Sequence, residues 1–434
     1  MSVDRLIALL KDIDNQLIRC MKCGMCQAVC PLFRETLKEA DVARGKLVLL
    51  QHLLKDMIED PEGVDKRLNR CLLCGSCAYG CPSGVNILEI FLKARAVFTE
   101  YMGLSPTKKL IFKNIVSKPG VFNRIFSLAS NLQPIFIKEQ NSFLHTSSFR
   151  LPISSVKDRH FIPLSKKTFH CEVSPRNDEK KGDLPKVGIF VGCLVDKIFP
   201  HIGFSMLNIL THYKVPMFIP DKQICCGIPV ISSGDLKDFL KIIEQNIFIY
   251  PPEEFDYLVT PCATCTSTIR KIWPMFSDKL SFSIRNRMLA LSEKTIDINY
   301  FLVEILKIEL QVVPATGEKI RLTYHDPCHL KKSLGIYKEP RKLILSNGDI
   351  EFVEMNEMDH CCGMGGSFNL YYYDLSQKIG RKKAENIIQT NAEIVATSCP
   401  ACMMQISDVL SKYNAKIKIK HPIEIYEATL IHRK

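Results

Sequence analysis

The repeated spacing of the cysteines constrains this 434-residue chain more than any other feature, because 18 of the 19 fall into four groups. The first two groups share the pattern C-x2-C-x2-C-x3-C-P and comprise Cys20, Cys23, Cys26 and Cys30, then Cys71, Cys74, Cys77 and Cys81. Three thiolates at this spacing can point into one concavity, and in two-cluster ferredoxins the fourth cysteine reaches the other cluster. Structural zinc, the alternative, typically uses two separated cysteine pairs. The pattern therefore predicts two interlaced 4Fe–4S clusters, one held by Cys20, Cys23, Cys26 and Cys81, the other by Cys71, Cys74, Cys77 and Cys30.

The other two groups are longer, and each contains an adjacent cysteine pair followed by glycine, a CCG motif. They comprise Cys193, Cys225, Cys226, Cys262 and Cys265, then, at nearly equal spacing, Cys328, Cys361, Cys362, Cys399 and Cys402. The glycine after each pair permits a positive φ or a close backbone approach. Adjacent cysteines can bind neighbouring irons of a cluster, whereas zinc would use four of the five. Disulfides are typical of short secreted chains. The spacing predicts metal in both repeats and leaves cluster and zinc open.

Short β-rich runs precede the cysteines of both CCG repeats, and amphipathic helices follow them. The runs are 186–191, 257–260, 320–324 and 394–397, and the helices are 235–250 and 374–390. This alternation predicts βαβ units with a parallel sheet in each repeat, and ligands gather beyond the carboxyl ends of such strands. Before them, apolar residues at helical spacing predict a small helical domain. We therefore expect an α plus α/β fold: a helical two-cluster ferredoxin domain (1–103), a basic linker or amphipathic segment (104–185) and two homologous α/β CCG domains (186–318 and 319–434).

The net charge of +12 raises the question of an anionic partner. No nucleic-acid-binding motif is present, so nucleic acid is not expected. Residues 105–138 are basic, apolar and free of acidic residues, which indicates the membrane surface, a partner-docking surface or plain packing. Pro119-Gly120 and Pro134 are expected to break helical periodicity there. Residues 1–17 suggest an amphipathic helix, and residues 174–185 suggest a solvated linker. No run of apolar residues in the sequence is long enough for a membrane span. The expected location is the cytoplasm, with its membrane face as an alternative.

Taken together, these blocks resemble the iron–sulfur subunits of glycolate and lactate oxidases (dehydrogenases). The likeness lies in the second motif at 71–85, in Ala43-Arg-Gly-Lys46 and in His421-Pro-Ile-Glu-Ile425. The resemblance implies an oxidoreductase subunit that passes electrons from a flavoprotein partner, which oxidises the 2-hydroxy acid, toward quinone. No G-x-G-x-x-G fingerprint is present, so no catalytic or flavin-binding residue is expected on this chain. The CCG layout is also that of heterodisulfide reductases. It implies noncubane 4Fe–4S clusters and keeps disulfide reduction at the CCG centres as an alternative.

Three histidines adjoin the second CCG repeat, and one cysteine stands outside every motif. His325 and His329 flank Cys328, and His360 precedes Cys361. Each could donate a hydrogen bond to cluster sulfur or be an ordinary loop histidine. Cys171 is expected to be a free thiol.

Overall fold

The computed structural model describes residues 6, 10, 15–55, 57–150, 158–180, 182–310, 312–315 and 317–431. The amphipathic helix expected over residues 1–17 lies mostly outside this range, although Leu6, Leu10 and Leu17 are described and fully buried. Within the range, no helix has both the length and the apolar character that crossing a membrane requires.

The chain begins with a small helical domain that carries the first two cysteine groups. Its α-helices are α1 (Met25–Val29), α2 (Pro31–Thr36), α3 (Ala43–Leu54), α4 (Pro61–Asn69), α5 (Ser76–Tyr79) and α6 (Ile87–Met102), with a 3₁₀ turn at Glu39–Asp41. Helices α2 and α4 start at proline, which suits the first helical position, and the Asp60 carboxylate caps α4 by accepting from the Gly63 amide at 2.8 Å. Helix α6 buries Ile87, Phe91, Ala94 and Phe98, the apolar face that its spacing predicts.

The middle segment is more regular than its sequence indicates. It contains α7 (Pro106–Ile111), a π-helix (Phe112–Val116), α8 (Pro119–Phe136), an antiparallel hairpin of β1 (Ile137–Asn141) and β2 (Thr146–Phe149), and α9 (Phe169–Glu172). The expectation that Pro119-Gly120 and Pro134 break the helix is wrong, because α8 runs through 18 residues. Pro119 occupies the first turn, where no amide bond is lost, and Pro134 falls in the last turn.

The first α/β domain is built on a five-stranded sheet with the order β3-β5-β4-β6-β7. The strands are β3 (Arg176–Asn177), β4 (Val187–Ile189), β5 (Met217–Ile219), β6 (Tyr257–Thr260) and β7 (Thr295–Asp297). Its α-helices are α10 (Gly192–Lys197), α11 (Pro200–His212), α12 (Ile228–Ile231), α13 (Leu236–Ile249), α14 (Ala263–Ser267), α15 (Phe282–Lys294) and α16 (Ile298–Tyr300). Strands β4 to β7 are parallel, whereas β3 pairs antiparallel with β5 at the edge, inside the stretch expected to be only a linker.

The second α/β domain repeats this arrangement without the antiparallel edge strand. Strands β8 (Ile320–Tyr324), β9 (Ile350–Phe352), β10 (Ile394–Ala396) and β11 (Lys418–Lys420) form a parallel sheet with the order β11-β10-β8-β9. Its α-helices are α17 (Glu339–Leu345), α18 (Ser367–Tyr371), α19 (Tyr373–Ile388), α20 (Pro400–Lys412) and α21 (Pro422–Ile431). The two parallel sheets have the same strand order, because β9, β8, β10 and β11 take the places of β5, β4, β6 and β7. The predicted duplication therefore extends to topology.

The helical domain contacts both α/β domains. Buried Arg95 on α6 donates to the carbonyl of Cys71 at 3.0 Å within its own domain and to that of Ser232 at 2.7 Å in the first α/β domain. Toward the second domain, the Lys332 ammonium donates to the Ser76 hydroxyl at 2.8 Å, and Arg34 pairs with Glu357 at 2.8 Å. These contacts bring the cysteine-bearing loops of all three domains together.

Candidate metal centres

The first ferredoxin site is a surface pocket lined by the cysteines of two separate motifs. Cys20, Cys23 and Cys26 share it with Cys81, and Cys77 also contributes to its wall. The loop between them bends through left-handed residues, Lys22 at φ 56° and Gly24 at φ 86°. Arg44 fixes this loop by donating to the Lys22 carbonyl at 3.1 Å. The structure therefore places the fourth cysteine of the second motif with the three of the first.

The second ferredoxin site has the reciprocal composition and is less exposed, with Cys74 buried and the other three cysteines partly buried. Its loop repeats the same bend, with Leu73 at φ 53° and Gly75 at φ 73°. Burial raises the pKa of the Cys30 thiol to about 12, and the next contributions that raise it come from Cys74 and Cys71. Burial likewise raises the pKa of Cys77, with Cys71, Cys74 and Cys30 adding to the rise. Cys30 thus lies among the thiols of the second motif.

Two buried cations adjoin this second site. Lys46 on α3 is almost fully buried and donates to the Asp41 carbonyl. Burial lowers its pKa, while the nearby Cys71 and Cys30 thiols and Asp41 act to raise it. Arg95 is also buried and bonds the Cys71 carbonyl. Buried cations beside four thiols fit an anionic cluster, because a buried charge needs a counter-charge.

In the first α/β domain, the five cysteines stand at the carboxyl ends of three adjacent parallel strands. Cys193 follows β4, the pair Cys225 and Cys226 follows β5, and Cys262 and Cys265 follow β6. The Sγ atoms of Cys193 and Cys225 are 3.9 Å apart. Hydrogen bonds from the Cys225 and Cys265 thiols lower the pKa of Cys226, which favours the thiolate that binds metals.

The second α/β domain places its five cysteines at the equivalent strand ends, after β8, β9 and β10. The Sγ atoms of Cys362 and Cys402 are 3.3 Å apart. Hydrogen bonds from the Cys361 and Cys402 thiols lower the pKa of Cys362, which matches Cys226 in the first domain. Cys328, in contrast, is hydrogen bonded to Cys361, and this bond together with burial raises the pKa of Cys328.

The glycines of the two CCG motifs have the predicted backbone role. Gly227 and Gly363 have φ of 90° and 95°, a region that side chains rarely allow. Their amides point at the sulfur two residues earlier, at 3.4 Å from Cys225 Sγ and 3.5 Å from Cys361 Sγ. The tight turn therefore supplies one N–H donor to each site.

Thiol contacts also join the sites to one another. The hydrogen bond to Cys361, together with burial, raises the pKa of Cys74, so the second ferredoxin site meets the second α/β domain through these two side chains. Hydrogen bonds from Cys262 and Cys402 lower the pKa of Cys399, so the two α/β domains meet through Cys262 and Cys399. The Ala263 amide donates to the Ser398 carbonyl at 3.0 Å beside this contact. The second α/β site therefore contacts both the second ferredoxin site and the first α/β site.

The histidines differ in their surroundings. The Nδ1 atom of His329 pairs with the Thr264 hydroxyl at 3.0 Å, and burial lowers the pKa of His360 to about 4. His325 is fully buried, with Nδ1 3.2 Å from the Met358 carbonyl. Sequence reasoning missed Lys383, whose buried ammonium donates to the carbonyls of Glu357 and Met358 at 2.7 and 3.2 Å. Burial lowers the pKa of Lys383 to about 8, and Cys362 acts to raise it.

Sulfur pairs in both CCG sites lie at a spacing that suits metal ligands. All 19 cysteines are free, although buried sulfurs lie within 4 Å of one another. A tetrahedral ion with sulfur bonds of about 2.3 Å separates its ligands by roughly 3.8 Å, which is close to these distances. Cys171 is exposed and belongs to no site, in keeping with the expected free thiol.

Comparisons with known proteins agree with this division. Residues 16–85 match the model of the 4Fe-4S dicluster domain, and residues 187–270 and 322–407 each match that of the Cysteine-rich domain named CCG. The chain is 28% identical to a subunit of the fumarate reductase (CoM/CoB) of Methanothermobacter marburgensis over 95% of this chain and 73% of that protein. It is 28% identical to the "Probable glycolate oxidase iron-sulfur subunit" of Bacillus subtilis over 91% of this chain and 89% of that protein. It is 31% identical to "Lactate utilization protein A" of an Exiguobacterium species over 56% of this chain and 97% of that protein.

Proposed function

Because this chain belongs to the family of iron–sulfur electron-transfer proteins that join a 4Fe-4S dicluster domain to CCG domains, we propose that it is the iron–sulfur subunit of a flavin-dependent 2-hydroxy-acid dehydrogenase. The acid would be glycolate or lactate, and the electrons would pass toward quinone. The observation that carries the electron-transfer role is the unbroken series of thiol contacts, Cys74 to Cys361 and Cys399 to Cys262. The relatives whose names mention glycolate oxidase and lactate utilization support the choice of acid.

We assign Cys20, Cys23, Cys26 and Cys81 to one 4Fe–4S cluster and Cys71, Cys74, Cys77 and Cys30 to the other, with the ten CCG cysteines holding noncubane clusters or zinc. When bound, the clusters supply one-electron oxidation and reduction. Lys46 and Arg95 place positive charge beside the second ferredoxin site, where it offsets the added negative charge of the reduced state. Burial of Cys74 and its neighbours excludes water from the contact with the second CCG domain.

The flavoprotein partner would dock on the first ferredoxin site. That site opens to the surface, and the large apolar side chains around it are unusually exposed: Met21 by 69%, Tyr79 by 63% and Met25 by 53%. Exposed methionine and aromatic side chains are enriched at protein interfaces. The second site, in contrast, faces the second CCG domain, where Cys74 is buried against Cys361. Electrons from a flavin would therefore enter at the exposed end of the series.

The acceptor end would face an anionic membrane surface through α8. Val121, Ile125, Leu128, Leu132 and Ile135 follow helical spacing and form a stripe exposed by 38–63%. The helix is held to the protein by its opposite side, where Ser130 is buried and Gln133 exchanges hydrogen bonds with the backbone of Leu164 at 2.7 and 2.9 Å.

The charge around α8 and the position of this helix also favour a lipid surface as the partner of the apolar stripe. Residues 105–138 contain six basic and no acidic residues, which complements anionic lipid. Pro119, Phe122 and Asn123 at its beginning line a pocket with Cys193 and Cys225 of the first CCG site. Binding of the stripe to lipid would therefore bring the first CCG site close to a membrane quinone.

The test is anaerobic purification with iron, sulfide and zinc quantified, followed by EPR spectra after addition of photoreduced flavin or of a disulfide. We expect more iron than the ~8 atoms of two cubanes and reduction of the ferredoxin clusters by the flavin. Clusters that accept no electrons from reduced flavin would contradict the proposal.

The second candidate is a heterodisulfide-reductase-like subunit that reduces a disulfide at its CCG centres. It is favoured by the five free cysteines present in both CCG domains and by the relative whose name mentions CoM and CoB. In the same experiment, a new paramagnetic signal on addition of the disulfide would select this candidate over the dehydrogenase subunit.

A further inference from the structure

The unusual feature of the second CCG domain is a buried histidine that lies beside two thiols and has one ring nitrogen without a hydrogen-bond partner in the described part of the chain. His325 is fully buried, and its Nδ1 atom lies 3.2 Å from the Met358 carbonyl. Its Nε2 atom makes no hydrogen bond within the described part of the chain. One ring nitrogen of His325 and the Sγ atoms of Cys362 and Cys402 all lie within 4.8 Å of one another. The site thus combines two sulfur donors with an imidazole.

The hydrogen bond at Nδ1 decides which nitrogen carries the proton. A carbonyl oxygen only accepts, so Nδ1 must be the protonated nitrogen, and Nε2 then presents a lone pair. This is the usual state of metal-binding histidines, which donate their other N–H to a carbonyl or carboxylate. A hydrogen bond from Nε2 to cluster sulfur would need the opposite tautomer. The ring is therefore arranged as a ligand and not as a donor to sulfur.

We propose that His325 binds the metal of the second CCG domain through Nε2, together with the thiolates of Cys362 and Cys402. The inference deepens the proposed function, since it rests on metal binding by this domain. A tetrahedral ion with bonds of about 2.0–2.3 Å places its ligand atoms roughly 3.3–3.8 Å apart, so side-chain shifts of about 1 Å close the site. Imidazole with thiolates suits zinc or an iron of a cluster, and the experiment below separates these.

The other thiols of the domain leave room for a fourth ligand. Cys399 is hydrogen bonded to Cys402 and completes the group on the His325 side. Cys328 and Cys361 are hydrogen bonded to each other, and Cys361 also contacts Cys74 of the ferredoxin domain. Cys361 joins these two groups through its hydrogen bond to Cys362, and His325 belongs to the group of Cys362, Cys399 and Cys402.

The first CCG domain offers no such ligand at the matching position, which makes the two repeats chemically different. Phe190 precedes Cys193 by the same three residues that separate His325 from Cys328. Its ring is fully buried and packs against Tyr250, with centroids 5.4 Å apart. We therefore expect only sulfur from the protein in the first domain and mixed nitrogen and sulfur in the second.

The test is X-ray absorption at the zinc and iron edges on the anaerobically purified full chain, with pulsed EPR for nitrogen coupled to paramagnetic iron. The variants are His325→Phe, which copies the first repeat, and His325→Cys, which restores a ligand. The control is His329→Phe, since the half-buried His329 lies on the other side of Cys328 and is bonded to Thr264. We expect one nitrogen at about 2.0–2.1 Å in the wild type and in the control. The nitrogen should be absent in both His325 variants, with metal content restored only by cysteine.

The outcomes separate this inference from the proposed function. A nitrogen shell at the zinc edge identifies a zinc site, and nitrogen coupling on iron identifies a cluster; either supports His325 as a ligand. All-sulfur coordination in the wild type, or an unchanged nitrogen signal in His325→Phe, overturns the inference and leaves electron transfer standing. The wild-type spectrum decides even where a variant fails to fold. A wild type with only the ~8 irons of the ferredoxin domain and no zinc overturns both this inference and metal binding by the CCG domains.

Discussion

At the scale of single residues, the exchange of the fourth cysteine between ferredoxin motifs has a clear experimental signature. Cys30 lies with Cys71, Cys74 and Cys77, whereas Cys81 shares a pocket with the first motif. Two ligands of one cluster should therefore act as a unit on substitution, and ligands of different clusters should act independently. Under this arrangement Cys26 and Cys30, which are neighbours within one motif, belong to different clusters.

We expect Cys30→Ala with Cys74→Ala to remove about four irons, no more than either single variant, because both change the same cluster. Cys30→Ala with Cys23→Ala should remove about eight. Iron analysis and the number of EPR-active clusters provide the measurement. Cys171→Ala is the control, since that thiol is exposed and outside every site. The reverse ranking of the two double variants would show that each motif holds its own cluster.

The cysteine groups and glycine turns were predictable from sequence, but the charged residues beside them were not. Lys46 and Lys383 lie on helices whose pattern gives no sign that their ammonium groups are buried. Long basic side chains usually reach solvent, so sequence reasoning places them on a solvated face. Only the packing of the Asp41, Glu357 and Met358 carbonyls around them shows otherwise.

At the scale of secondary-structure elements, α8 presents its apolar stripe outward, the reverse of an ordinary surface helix. We expect Leu128→Gln with Ile135→Gln to weaken binding to phosphatidylglycerol vesicles at least tenfold, because each exposed side chain would otherwise bury in lipid. Co-sedimentation with phosphatidylglycerol and phosphatidylcholine vesicles measures this. Binding of the wild type should require the anionic lipid and weaken with salt.

A matched control for this helix is Phe248→Gln on α13, where the side chain is 67% exposed but lies outside the stripe. It should leave vesicle binding unchanged. Full binding by the α8 double variant would exclude the stripe as the lipid contact. Loss of complex formation with a flavoprotein or with a second copy of this chain, at unchanged vesicle binding, would instead assign the stripe to that partner.

Helices and strands whose apolar residues recur at a regular spacing were predictable from sequence. Elements that depend on tertiary contacts were not. Strands β6 and β8 begin and end at the predicted residues, and α13 and α19 differ from their predicted ranges by one or two residues at each end. The continuity of α8 was missed, because the cost of proline depends on its position in the helix. Strand β3 was missed because its two exposed residues show no apolar alternation, and they form a strand through pairing with β5.

At the scale of the whole molecule, the order in which the cysteine sites contact one another differs from the order of the domains in the sequence. The second CCG domain contacts the ferredoxin domain through Cys74 and Cys361, and the first CCG site follows through Cys399 and Cys262. We therefore expect Cys362→Ala with Cys402→Ala, which damages the second site, to slow reduction of the first by more than tenfold. Rapid-freeze EPR after mixing with reduced flavin measures this.

The reciprocal variant, Cys226→Ala with Cys265→Ala, damages the first site and should leave reduction of the second at its normal rate. The two variants are matched, because each removes the same positions of its repeat. Equal slowing in both, or slowing only in the reciprocal variant, would show that electrons follow the order of the sequence and not the order of the contacts.

The burial of thiols between domains also bears on how the protein is made. Cys74, Cys262 and Cys399 are all buried, and each lies where one domain meets another. A delivery protein cannot reach these sulfurs once the domains have closed. Insertion of the proposed metal centres must therefore come before, or together with, closure of the domains during biogenesis. A chain whose domains close before the clusters are inserted would be colourless. Its sites could then be filled only after partial unfolding.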